Sequence, residues 1–208
     1  MYKNLLPGEP VLMPWQSLAF NADTFIAEKF IELRDRFKID SVIECGSAVG
    51  GTTKWLGQNF KFVYTTEINP VFRGFCLKRI EGLQNVQSFL SNTVDVLPHI
   101  INDLEESAAS KPILVFCDDH WLEECPLLRE LEILAECCIK EPVIAIHDFF
   151  IPNEPELGFD SIKGQPFTLG WIAPYLERIY SSGYEIEYNT FEKSAGAKRG
   201  IIYITPKP

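Results

Sequence analysis

Residues 42–53 read VIECGSAVGGTT, an apolar run that ends in one acid and is followed by three glycines within six residues. Glycines let the chain turn sharply and let a ligand touch bare backbone. The threonines behind them open a helix, whose first N–H groups have no partner within the helix and attract polar ligand atoms. The turn is not the G-x-G-x-x-G dinucleotide fingerprint, and it lacks the Gly-Lys-Ser/Thr of a phosphate loop. Glu44 at the strand end also disfavours a phosphate, by like-charge repulsion. The stretch therefore predicts a ligand that carries an ammonium group and no phosphate.

Outward from this turn, helix and strand patterns alternate. Upstream, TFIAEKFIELRDRF (24–37) puts Ile26, Phe30, Leu33 and Phe37 on one helical face. Downstream, helix one (51–60) leads to the strand KFVYTTEI, then to a helix over 70–82 that ends at Gly82 as a C-cap. The strand NVQSFL and a helix over 93–106 follow, then the strand ILVFCD (113–118), a helix over 122–140 and the strand PVIAIHD (142–148). VIEC, ILVF and VIAI are nearly continuous apolar runs, as expected of parallel strands covered on both faces. After the proline-interrupted stretch 149–169 come a helix over 171–181, the strand YEIEYNTF and the strand IIYIT. With no helix between them, these last two strands must pair antiparallel if they pair. The expected fold is α/β: a single Rossmann-like domain over residues 1–208, whose seven-stranded, mostly parallel sheet closes with a C-terminal antiparallel hairpin. Residues 1–23 are expected to form an N-terminal cap segment and 149–169 an active-site loop.

Composition narrows the partners. A formal charge of −10 over 208 residues argues against a nucleic-acid backbone, which needs a basic footprint, and so favours a small-molecule substrate. No apolar run reaches the ~20 residues of a membrane span. The segment MYKNLLPGEPVLMPWQ has one lysine and three prolines, unlike a signal peptide. Six scattered cysteines read as reduced thiols, so the expected location is cytoplasmic. Self-association into a homo-oligomer is compatible with this reading.

At the other strand ends, Glu67 stands where doubly wound sheets place an acid on a ribose diol. Ser91-Asn92-Thr93 forms a polar turn suited to an adenine edge or to a helix N-cap. The glycine motif, Glu67, Asp118-Asp119-His120 and His147-Asp148 together resemble class I S-adenosylmethionine-dependent methyltransferases, specifically the cephalosporin/macrocin-type small-molecule O-methyltransferases related to the catechol type. The resemblance runs over roughly residues 40–150. It implies that Glu44, Gly46 and Gly50, with Ser47 and Thr52 of the same turn, hold the methionine part of S-adenosylmethionine. It also implies that Glu67 holds the ribose, that Asn92 and Asp118 line the same cofactor, that Asp118 doubles as a metal ligand and that His120 is the catalytic base. The family's Asp-Gly-Asp-His is one residue shorter here, and its acidic pair after the next strand is replaced by His147-Asp148.

Sheet geometry adds a separate argument. Asp118 and Asp148 end consecutive strands expected to be neighbours, or nearly so, and adjacent strands lie ~4.8 Å apart. The two carboxylates could therefore share a hard cation such as Mg²⁺, to which His147 could add a neutral imidazole. Such an ion would acidify an acceptor hydroxyl, and His120 would take the proton. Rival readings are a nicotinamide-dependent oxidoreductase, an aminopropyl transferase and a non-catalytic binding protein on the same fold. Trp15, Trp121, Trp171 and Phe149-Phe150 read as core aromatics, with a pocket wall as the alternative. Lys163, Lys198 and Arg199 read as solvated.

Overall fold

The computed structural model describes Gly8 and residues 15–107, 111–120, 125–138 and 140–207. Among the described residues, nine strands and six α-helices follow in chain order: α1 (Thr24–Phe37), β1 (Ser41–Cys45), α2 (Gly51–Asn59), β2 (Phe62–Glu67), α3 (Pro70–Arg79), β3 (Val86–Leu90), α4 (Thr93–Ser107), β4 (Leu114–Cys117), α5 (Leu127–Cys137), β5 (Val143–His147), β6 (Ser161–Ile162), β7 (Gln165–Pro166), α6 (Leu169–Ile179), β8 (Tyr184–Tyr188) and β9 (Ile201–Pro206). Seven of the strands form one sheet in the order β3-β2-β1-β4-β5-β9-β8. The first five are mutually parallel, and β9 enters antiparallel between β5 and β8. β6 and β7 form a separate two-residue ladder inside the 149–169 loop.

Alternate residues of the central strands feed two cores. Val42, Leu114, Phe116, Val143 and Ala145 face α1 and α2, where Phe20, Phe30 and Phe116 pack with ring centroids 4.8–5.7 Å apart. Ile43, Val115, Ile144 and Ile146 face α4, α5 and α6. Burial on both faces is why these strands read as unbroken apolar runs rather than as an alternation.

Helix ends follow local chemistry. Asp23 caps α1 by accepting from the N–H groups of Phe25 and Ile26, and Asn69 caps α3 ahead of Pro70. Several boundaries differ from the sequence expectation. α3 stops at Arg79, and Gly82, at φ +89°, forms the turn into β3 instead of capping the helix. α5 begins at Leu127, behind a Pro126 already in helical φ/ψ; residues 121–124, and with them Trp121, lie outside the described region. α6 starts at Leu169, two residues earlier than the periodicity predicts. Residues 1–7 and 9–14 of the expected cap segment are likewise outside the described residues. Its remainder inserts Phe20 into the aromatic core, where Phe20 N–H donates to Thr52 Oγ1 at 2.9 Å.

Candidate active site

The parallel strands β1, β2, β4 and β5 all end on one edge, and the loops that follow them bring the expected residues together there. The glycine turn comes first. Gly46 and Gly50 sit at φ +89° and +85°, a region that side-chain-bearing residues adopt at a cost. A Cβ on Gly46 would lie 2.9 Å from Asp119 Cβ, and one on Gly50 would lie 2.8 Å from Cys76 Cα. Gly50 supplies no side-chain cap to α2, and among the described residues the helix's first-turn N–H groups have no side-chain acceptor.

Glu44 lies beneath this turn. It is 1% exposed, and its Oε2 accepts from Thr53 Oγ1 and Thr65 Oγ1 at 2.6 Å each. Burial pushes its carboxyl up to about 7, against the two hydroxyl donors that pull it down. Glu44 is thus a carboxyl poised near neutrality, held by two threonines. Ser47 is buried, and its N–H donates to Thr66 O at 2.8 Å. Gly46 N–H reaches Thr66 Oγ1 at 3.4 Å. Thr93 Oγ1 donates to Asp119 Oδ2 at 2.7 Å, so the 2.7 Å Thr66–Thr93 contact must carry the Thr66 proton. This chain of donors ties the turn to β2, α4 and β4.

Glu67 faces the turn from β2. Its Oε2 accepts the Ala48 N–H and its Oε1 the Asn69 N–H, both at 2.8 Å. Each oxygen keeps a second lone pair. Burial raises its carboxyl above the ordinary range, while backbone donors oppose the shift. Asn92 takes the N-cap arrangement, its Oδ1 accepting from Val94 N–H at 3.3 Å. Thr52 Oγ1 is committed to Phe20 N–H.

The ends of β4 and β5 form one cluster. His147 Nδ1 lies 3.1 Å from Asp118 Oδ1 and 3.3 Å from Asp148 Oδ1. Burial alone would lower His147, but the two carboxylates outweigh it and hold the imidazole well above its usual range. Burial raises Asp118. Asp148 is also buried, yet His147 and the Arg199 guanidinium hold it below the carboxylate range. Asp148 adopts φ +57°, a strained conformation of the kind that clusters at functional sites. The ligand atoms of Asp118, His147 and Asp148 all lie within 4.8 Å of one another, a spacing that a cation accepts. As folded, however, the set does not fit a divalent ion: Asp148 Oδ1 already binds Arg199, and His147 Nδ1 lies between two carboxylates. His120 stands beside this cluster. Its ring meets that of Phe167 edge-on at 4.8 Å, its Nδ1 is 4.0 Å from Asp119 and from Cys125, and its Nε2 is buried with no partner among the described residues.

Two features escape sequence reading. The first is a correction: Arg199 is not solvated. Its Nε donates to Asp148 and its Nη2 to Asp160. Lys163 is exposed, and Lys198 lies over the Phe191 ring at 3.5 Å. The signal for Arg199 was available in the topology, since an antiparallel β9 beside β5 must begin where β5 ends, and Ile201 does pair with His147. The second is Glu130 of α5, fully buried beside Cys45 and Cys117 and facing Asp119. Burial pushes its carboxyl well above the ordinary carboxylate range. The aromatics read as core are packed to different degrees. Phe149 is fully buried, Trp171 stacks on Phe167 at 5.4 Å, and Phe150 meets Phe159 edge-on at 5.1 Å, whereas Trp15 is only partly buried.

No family model matches the chain, and no curated protein is similar to it in sequence. Solved structures do resemble it. The O-methyltransferase TomG from Streptomyces achromogenes, in complex with SAM, superposes with TM-score 0.61 at 14% identity, over 88% of this chain and 80% of that one. An O-methyltransferase from Bacillus cereus in complex with SAH gives TM-score 0.58 at 17% identity, over 88% and 81%. An rRNA methylase from Streptococcus thermophilus gives 0.52 at 11%, over 88% and 96%. The chain has the Rossmann-like methyltransferase fold. Neighbours that differ in acceptor show that the fold leaves the acceptor open.

Proposed function

We propose that the chain is an S-adenosylmethionine-dependent methyltransferase that methylates an oxygen of a small molecule. The observation that carries this reading is the pairing of a left-handed glycine turn with Glu67 across the same strand-end edge. Glu44 and Glu67 suit a cationic nucleoside, and the turn offers bare backbone and an uncapped helix start. These residues fit the cofactor: Gly46, Ser47, Gly50 and Glu44 would hold its methionine part, Glu67 its ribose and Asn92 its adenine. When bound, S-adenosylmethionine supplies an electrophilic methyl group on a sulfonium. The chain's part is to align the acceptor with it and to take the acceptor proton at His120, while Asp118 and His147 orient polar atoms nearby. No step is assigned to Mg²⁺. We read residues 15–23 and the 149–169 loop, which brings Phe167 onto His120, as the cover of the site.

The charge of −10 supports a small-molecule acceptor over nucleic acid. Among the described residues no helix is long and apolar enough to cross a membrane, and no disulfide joins any of the six cysteines, which suits the cytoplasm. One observation favours the alternative of a non-catalytic binding protein, namely the burial of His120 beneath Phe167. Calorimetry with S-adenosylhomocysteine and with NADH tests the reading: saturable heat is expected with the first and none with the second. Heat with NADH alone would assign the site to hydride chemistry.

A further inference from the structure

The Asp118–His147–Asp148 cluster has three potential donors but is not open to an ion, because a fourth side chain has entered it. Arg199 Nε contacts Asp148 Oδ1, and its Nη2 contacts Asp160 Oδ1. Its position is set by backbone, not by a flexible reach. Phe149 N–H donates to Gly200 O at 3.0 Å, Gly200 N–H to Gly158 O at 2.8 Å, and Gly158 N–H to Lys198 O at 3.0 Å. These bonds stitch the loop after β5 to the residues before β9, on either side of Arg199. Gly158 makes room for it, since a Cβ there would lie 2.7 Å from Nη1. Gly200 permits the close approach, since a Cβ there would collide with Phe149 O. Asp160 N–H in turn donates to Asp148 O at 2.8 Å, so the two carboxylates that share the guanidinium are also joined through backbone.

We propose that Arg199 is the resident cation of this site: its guanidinium holds Asp148 and Asp160 where a divalent ion would otherwise bind, and the site works without metal. A guanidinium suits the role because it is planar, always charged and presents several N–H donors at once, which lets it bridge two carboxylates. It differs from a metal in one chemical respect. It holds oxygens in place but does not open a coordination position at which an acceptor hydroxyl would be acidified. Proton removal then rests with a side chain, and His120 is the nearby candidate. The statement about acceptor chemistry rests on the methyltransferase reading; the statement about the cation does not.

The test is a Mn²⁺ titration of EDTA-stripped full-length protein, followed by loss of the free-ion electron paramagnetic resonance signal. Wild type is expected to show no saturable binding. Arg199→Met, which keeps an aliphatic stem in the Gly158 gap, and Arg199→Ala are expected to gain a saturable Mn²⁺ site, and adding Asp148→Asn to either should abolish it. Saturable binding to wild type that Asp118→Asn or Asp148→Asn removes would overturn the proposal. So would folded Arg199 variants that gain no site. If the variants do not fold, as judged by circular dichroism, the wild-type titration still decides. Methyl transfer, where present, should be equal in EDTA and in Mg²⁺. Failure to bind S-adenosylhomocysteine would remove the methyltransferase reading and leave the Mn²⁺ result standing.

Discussion

Glu44→Gln should make the protein more stable, increasingly so as pH rises, while weakening its hold on a cationic ligand. Glu44 is 1% exposed, and its Oε2 accepts from Thr53 and Thr65 at 2.6 Å each. Burial raises its carboxyl from 4.5 to about 7. A carboxyl with a raised folded pKa contributes fully at low pH and loses its contribution as pH climbs through the folded value. Below 4.5 both states are protonated and nothing is lost. Between 4.5 and about 7 the unfolded chain ionises while the folded one does not, so stability falls. Above about 7 the loss levels off. At 1.36 kcal/mol per pKa unit, the cost is about 1 kcal/mol near pH 5, about 2 near pH 6 and about 3 above pH 8. Glutamine keeps an oxygen for both threonine hydroxyls and cannot ionise, so it removes this cost. The gain near pH 8 corresponds to roughly 6–12 °C in Tm for a chain of this size. Thermal melts of wild type and variant at three pH values measure it, and calorimetry with S-adenosylhomocysteine should show weaker binding by the variant. A destabilisation of equal size at every pH would refute the reasoning, because it would mean that the hydrogen bonds, and not the ionisation, set the energy of Glu44.

Further expectations concern single contacts. His120→Ala should slow methyl transfer by about 10²–10⁴-fold and leave S-adenosylhomocysteine affinity unchanged; a parallel loss of affinity would make His120 a packing residue. Asp23→Ala removes the cap of α1 and strands Ser194 Oγ and Ala195 N–H, which Asp23 Oδ2 accepts at 2.8 and 3.0 Å. The loss should be about 2–4 kcal/mol in urea denaturation, and a loss under about 1 would show that water replaces the carboxylate. Gly50→Ala forces a side chain into φ +85° and against Cys76. It should cost about 1–3 kcal/mol and weaken S-adenosylhomocysteine binding; wild-type stability would show that the turn relaxes freely.

Much of the fold is legible in the order of residues because its cause is local. The periodicity of Ile26, Phe30 and Leu33, the unbroken run of β4 and the glycines after β1 each express one element's backbone and burial. The strand-end acids are legible for a related reason, since in a parallel sheet every strand ends on the same edge. Boundaries are less so, because the stop of α3 at Arg79 and the start of α5 at Leu127 depend on turn geometry that several residues share. What each acid touches is not local at all. Glu44 meets Thr53 and Thr65, Glu67 spans two loops, and Glu130 stands buried beside Cys45 and Cys117. Arg199 illustrates the limit best. In sequence it is a cation at the end of a polar, glycine-containing segment, with every reason to be solvated. Insertion of β9 between β5 and β8 carries it some fifty residues back along the chain to Asp148. There, burial lowers the dielectric around the carboxylates and makes a fixed positive charge worth holding. The local pattern determined the sheet, the glycine turn and the edge where chemistry belongs. Only tertiary packing decided which charge sits at that edge, because charge pairing depends on distance through space and not along the chain.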